Sequence, residues 1–160
     1  MSKAEILEAL RQHPFTHDMD EAWKESLAEI ARLQTYAPDT LLLREGRAAD
    51  AFFLIVDGLV AVEMFVPDRG SLRLQTVSAG EIVGWSWALP PYRWEFDARA
   101  LVETTAVVLD AAQLRARMSQ DCALAAWILS RLLTVVAGRL KATRLQLLDL
   151  YAPPPERRPA

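Results

Sequence analysis

The chain has 160 residues, 52% of them hydrophobic and 24% charged, which is apolar material for one compact domain and too little length for two. That composition excludes a disordered chain and a collagen-like fibre, and a formal net charge of -3 excludes a general electrostatic pull toward nucleic acid. A single cysteine, Cys122, rules out an internal disulfide, a four-cysteine zinc site and an iron–sulfur cluster.

Apolar runs such as Ala51 to Val56 are shorter than the roughly 20 residues of a membrane helix. The start, Met1-Ser2-Lys3-Ala4-Glu5, leads straight into an amphipathic pattern without the apolar stretch of a secretory signal. The expectation is a cytoplasmic protein with no membrane segment.

From Ala4 to Leu33 the apolar residues Ile6, Leu7, Leu10, Trp23, Leu27, Ile30 and Leu33 recur at helical steps of three and four. Two helices fit, broken near Pro14, with Asp18 or Asp20 starting the second. Residues 1–33 are therefore read as a helical extension. From Thr35 to Leu109 short β-type runs alternate with turn residues: Thr40–Arg44, Ala51–Val56, Leu59–Val66, Leu72–Val77, Trp94–Val102 and Thr105–Leu109. Asp57-Gly58 supplies a two-residue hairpin turn and Asp68-Arg69-Gly70 a second one. Many short strands in a small body imply a sandwich or barrel, which limits exposed edges.

After Asp110, a capping residue, the helical period returns with Leu114 and Met118, then runs from Asp121 to about Tyr151. Leu124, Trp127, Ile128, Leu129, Leu132, Leu133, Val135 and Val136 surround the first half of this last helix. A helix apolar on so many sides needs cover on more than one. One side suits the β body. The other suits either a second copy, with Trp127, Ile128, Leu132 and Val135 at a homodimer seam, or the N-terminal helices of the same chain. Pro153-Pro154-Pro155 ends the element, leaving a flexible tail over 152–160.

Three motifs, Leu42-Leu43-Arg44-Glu45-Gly46, the run Ala51 to Val60 with its Asp57-Gly58 turn, and Gly80-Glu81-Ile82-Val83-Gly84, occur in an order that resembles the cyclic-nucleotide-binding domain of catabolite-activator (Crp-Fnr) type regulators. The resemblance covers roughly Leu33 to Tyr151. It implies a mainly β domain with flanking helices over 34–151, a double-stranded β-helix or jelly roll holding cyclic AMP, cyclic GMP or a related small ligand, with the long helix as dimer seam and signal relay. It also implies ligand contacts from Gly80, Glu81, Ile82, Val83, Arg93 and Trp94. Glu81 takes the place of a carboxylate that binds the ribose hydroxyl, and Arg93 that of the arginine on the cyclic phosphate. A carboxylate accepts strongly from a hydroxyl, and an arginine fork matches phosphate oxygens.

The residues themselves leave alternatives open. Gly80-Glu81 also reads as a turn and helix start. In Trp94, Phe96, Ala98, Ala100 and Val102 the even positions are apolar, while Arg93, Glu95, Asp97, Arg99 and Glu103 share the other face. Arg93 then points inward only if a bulge lies near Trp94, and otherwise stands on a solvated face with Arg99. Trp94 and Glu95 follow Arg93 where the family has small residues. Trp85, Trp87, Tyr92, Trp94 and Phe96 either line a pocket for a planar ligand or fill it, with Trp94 over the phosphate position.

Enzymatic chemistry is not expected. His13 and His17 have no third ligand at zinc spacing, Ser86 lacks a Gly-x-Ser-x-Gly context, and Cys122 reads as a small hydrophobe in a buried helix. A cupin-like enzyme would need a His-rich metal set on the strands. No direct DNA contact is expected, since family members of the regulator type continue into a helix-turn-helix and this chain stops soon after Tyr151. Arg131, Arg139, Lys141 and Arg144 read as an ordinary charged face. Two readings remain: a stand-alone sensor that signals to a partner protein, and a ligand-free interaction domain of the same fold.

Overall fold

The computed structural model describes residues 2–151, so the expected tail and its proline run lie outside the described residues. Helix α1, Lys3–Gln12, starts at a capping box: Ser2 Oγ accepts from the Glu5 amide at 3.3 Å, and the Ser2 amide donates to Glu5 at 3.0 Å. These reciprocal bonds satisfy amides that a helix start leaves free. Helix α2, Glu21–Ala28, follows Asp20, whose side chain makes no capping bond.

The helical spacing expected through Leu33 is overturned. After Ala28 the chain turns into β1, Ala31–Tyr36. Six of its residues pair with the last strand, from Ala31 opposite Leu109 to Tyr36 opposite Thr104. A step of three from Ile30 to Leu33 fits a helix locally, but a continuous ladder next to the buried core outweighs so weak a preference.

The other strands are β2 Leu41–Leu43, β3 Ala51–Asp57, β4 Leu59–Val66, β5 Gly70–Ser78, β6 Ile82–Val83, β7 Asp97–Ala100 and β8 Thr104–Asp110. They form two antiparallel sheets, ordered β1-β8-β3-β6 and β2-β7-β4-β5. Phe53, Leu54 and Val107 of the first sheet share one core with Val60, Val62 and Ala98 of the second. This is the rolled double sheet that was expected. At the Asp57-Gly58 hairpin, Gly58 has φ +110°, and a Cβ there would meet Thr104 Cα at 2.7 Å. Glycine is needed for space as well as for conformation.

The run expected as one strand from Trp94 to Val102 is regular only over Asp97–Ala100. Ahead of it the chain makes a single bridge, Ala48 to Arg93, and Tyr92 sits at φ 57°. The apolar alternation holds at Trp94, Ala98 and Ala100, all buried, and fails at Val102, 46% exposed past the strand end.

Asp110 caps helix α3, Ala111–Gln120, by accepting from the Gln113 amide at 2.9 Å. Helix α4 is Cys122–Tyr151. Cys122 is exposed, not the buried hydrophobe expected, because it precedes the face that Leu124 and Ile128 turn to the core. By length and composition α4 is also apolar enough to cross a membrane. Its first half, however, has Leu124, Ile128 and Leu132 buried against the domain, and Trp23 Nε1 donates at 3.0 Å to Asp121 just ahead of it.

Candidate functional site

The segment expected to cradle a ligand begins at Gly80 and, past Gly84, runs through Trp85 and a short 3-10 helix, Ser86–Ala88. Trp87 is fully buried, its ring 4.8 Å from that of Phe52. Trp94 is 3% exposed, with ring centroids of Phe53 at 6.3 Å and Phe96 at 6.5 Å. Gly84, at φ +78°, lies directly under the Trp94 indole: a Cβ would come within 3.0 Å of Cη2 and closer to Cζ3. Of the two roles left open for the aromatics, Trp87 and Trp94 take the filling one. Trp85 and Tyr92, half-buried, serve as platforms for guanidinium groups, Arg139 at 5.2 Å and Arg115 at 4.1 Å.

The six expected contact residues do not converge. Gly80 and Glu81 form the turn between β5 and β6, pinned by Gly80 N–H to Ile55 O and Ile55 N–H to Glu81 O, both 2.9 Å. The Glu81 carboxylate accepts from the Ser78 amide at 2.7 Å and the Ser78 hydroxyl at 3.1 Å, bracing the turn. Ile82 and Val83 are buried, Val83 completely, as strand residues in the core. Arg93 is exposed and donates at 3.0 Å to Gly46 O. It stands on the outer face that the alternation gives it, since a lone bridge replaces the inward-turning bulge. Arg99 is less solvated than a surface charge: it pairs with Glu63 at 3.1 Å and donates to Asp39 O at 2.8 Å.

Gly80, Glu81 and Ile82 do share one concavity. A cleft of about 810 Å³ opens between β5, this turn, Pro14-Phe15 and α4. Its lining holds three arginines, Arg73, Arg131 and Arg139, against one acidic residue, Glu81. Arg131 lies over Trp127 and is paired with Asp18. Arg139 donates to Ile82 O and lies over Trp85. Burial pulls its guanidinium below the ordinary value, partly offset by the Glu81 charge.

One wall of the cleft is fixed by a buried histidine. His13 is 4% exposed. Its Nδ1 accepts from the Phe15 amide at 3.1 Å, so its Nε2–H donates to Ile55 O at 3.0 Å. Burial pushes its pKa down.

On α4 the residues expected at a dimer seam are used by their own domain. Ile128 and Leu132 are 1% and 5% exposed. Trp127 packs edge-on against Phe15 at 6.2 Å, and Val135 lines the cleft. Arg131 and Arg139, read as part of a charged face, are the functional candidates that reasoning from sequence missed. A signal was present: Arg139 falls on the face of Leu132 and Val135 at steps of three and four.

Residues 33–121 match the family model described as cyclic nucleotide-binding domain. A cyclic nucleotide-binding domain from Methylobacillus flagellatus superposes with a TM-score of 0.76 at 24% identity, covering 92% of this chain and 83% of that one. The N-terminal domain of a transcriptional regulator from Streptomyces coelicolor gives 0.64 at 24% identity, covering 88% and 95%. In sequence, the cGMP-dependent protein kinase isozyme 1 of Drosophila melanogaster is 34% identical over 79 residues, which is 47% of this chain and 10% of the kinase. The chain thus spans about a tenth of the curated relative it matches.

Proposed function

The chain belongs to the cyclic nucleotide-binding domain family, and from that premise we propose a non-catalytic regulatory module. Its ligand, cyclic AMP, cyclic GMP or a related small anion, is held in the cleft between the roll and α4, and α4 carries the response to a partner protein in the cytoplasm. The observation that carries this reading is the electropositive cleft beside Gly80, Glu81 and Ile82 on an acidic chain. Its volume lies in the range of small-molecule sites, about 300–1,000 Å³. Ligand contacts through Arg93 and Trp94 are given up, the one being outside the cleft and the other in the core.

The homodimer is proposed with a different seam. Leu129, Leu133, Leu140, Leu147 and Leu150 are 47%, 68%, 47%, 50% and 79% exposed. With Ala126, Val136 and Thr143 they occupy alternating steps of three and four along α4. That is the a/d stripe of a two-stranded coil, self-complementary by repetition, and a second copy is the occupant that fits it.

Isothermal titration with cyclic AMP and cyclic GMP tests the ligand reading. Saturable binding supports it, and no heat at millimolar nucleotide refutes it. The packing of Trp94 on Gly84 favours a second reading, a ligand-free interaction domain with a filled roll. A Trp94→Ala variant that gains nucleotide binding which the parent lacks would support that reading.

A further inference from the structure

We propose that Arg139 of α4, and not an arginine of the roll, is the receptor for the anionic group of the ligand, so that bound anion ties α4 to the Gly80–Ile82 turn. This rests on the cleft reading above and assigns its chemistry. Arg131 is compensated by Asp18, Arg99, outside the cleft, by Glu63, and Arg73, the remaining arginine of the lining, is exposed on β5, where water screens its charge. Among the described residues no carboxylate pairs with Arg139, because Glu81, the acidic residue of the lining, turns its carboxylate to Ser78. A guanidinium offers five N–H donors in a rigid fork. One bond goes to Ile82 O and the plane rests on Trp85, which leaves donors facing the cleft that Arg139 lines. A half-buried cation held by a neutral carbonyl and a ring, with the Glu81 charge near it but not paired to it, lacks a bonded counter-ion, and a phosphate or carboxylate supplies one with charge-assisted bonds.

The same contacts give the link to α4. Arg139 stands on the helix and Ile82 in β6, so an anion bound to Arg139 and the turn adds a second polar link to the Arg139–Ile82 bond between these elements. Trp85, beneath the guanidinium, makes the event visible as a change in indole emission.

The experiment titrates cyclic AMP, cyclic GMP, AMP and inorganic pyrophosphate into the intact chain and into Arg139→Gln, Arg139→Lys, Arg93→Gln and Trp85→Phe, by calorimetry and tryptophan fluorescence, with circular dichroism confirming the fold. The expected result is a loss of about tenfold to hundredfold for Arg139→Gln, the range of one or two charged hydrogen bonds. Arg139→Lys falls between, Arg93→Gln leaves affinity unchanged, and Trp85→Phe removes most of the emission change. Nucleotide binding that Arg139→Gln and Arg139→Lys leave intact overturns the proposal while sparing the cleft reading. Pyrophosphate binding that depends on Arg139, without nucleotide binding, upholds the proposal and overturns the nucleotide reading. No binding of any of the four anions overturns both.

Discussion

Adding one methyl at Gly84 tests how the end of the roll is filled. Gly84 holds φ +78°, and Trp94 Cη2 lies 3.0 Å from where a Cβ would stand, with Cζ3 nearer. In Gly84→Ala the positive φ costs about 1–2 kcal/mol, and overpacking against a ring that is 3% exposed adds about 1–3 kcal/mol. Trp94→Ala alone costs about 3–5 kcal/mol for the buried ring and the void it leaves. In the double variant the overpacking disappears and only the backbone part remains, so the two changes couple favourably by about 1–3 kcal/mol. Urea unfolding of the four proteins, followed by far-ultraviolet circular dichroism because a tryptophan is removed, reads this directly. With a slope of roughly 2 kcal/mol per molar urea for a domain of this size, the coupling moves the double-variant midpoint by about 0.5–1.5 M from additivity. Additivity within about 0.5 kcal/mol would show that the Trp94 ring does not lie on Gly84 and would empty the roll end of its filler.

Three further outcomes are expected. His13 is buried with its pKa below the ordinary 6.5, so the folded state binds fewer protons than the unfolded chain in mild acid. Its contribution is complete above about pH 6.5 and is lost as the pH falls from there toward the folded value; His13→Gln flattens that acid limb of stability against pH, and an unchanged slope contradicts the assignment. Leu133→Asp with Leu140→Asp, both on the exposed stripe of α4, converts the sedimenting dimer to monomer without changing the circular dichroism spectrum; a parent that sediments as a monomer at high concentration rejects the seam. Asp110→Ala, which removes the bond to the Gln113 amide at 2.9 Å, lowers stability by about 1 kcal/mol, measured by the same urea midpoint.

Much of the fold was legible in the chain because its signals are local. The Asp57-Gly58 turn, the strands that flank it, the cap at Asp110 and the long final helix stand where spacing and turn residues put them. The irregular stretch before β7 was harder: alternation marked Trp94, Ala98 and Ala100 as inward but says nothing of a chain that breaks its ladder at Phe96. Strand β1 escaped for a related reason, since only β8 as a partner makes Ala31–Tyr36 extended.

The candidate site divides along the same line. Sequence by itself left Gly80-Glu81 open between a ligand contact and a turn opening a helix, where the structure has a turn into β6, but it determined that aromatic residues crowd the stretch after it, and that Ile128, Leu132, Val135 and Arg139 share a helical face. Only the tertiary structure decided what those groups meet: Glu81 is spent on Ser78, Trp94 on Gly84, and Arg139 on Ile82 O and the Trp85 ring. The physical reason is that backbone periodicity fixes which side chains point the same way, within a few residues, whereas the counter-charge or surface they reach lies on a distant segment brought close by packing the whole core.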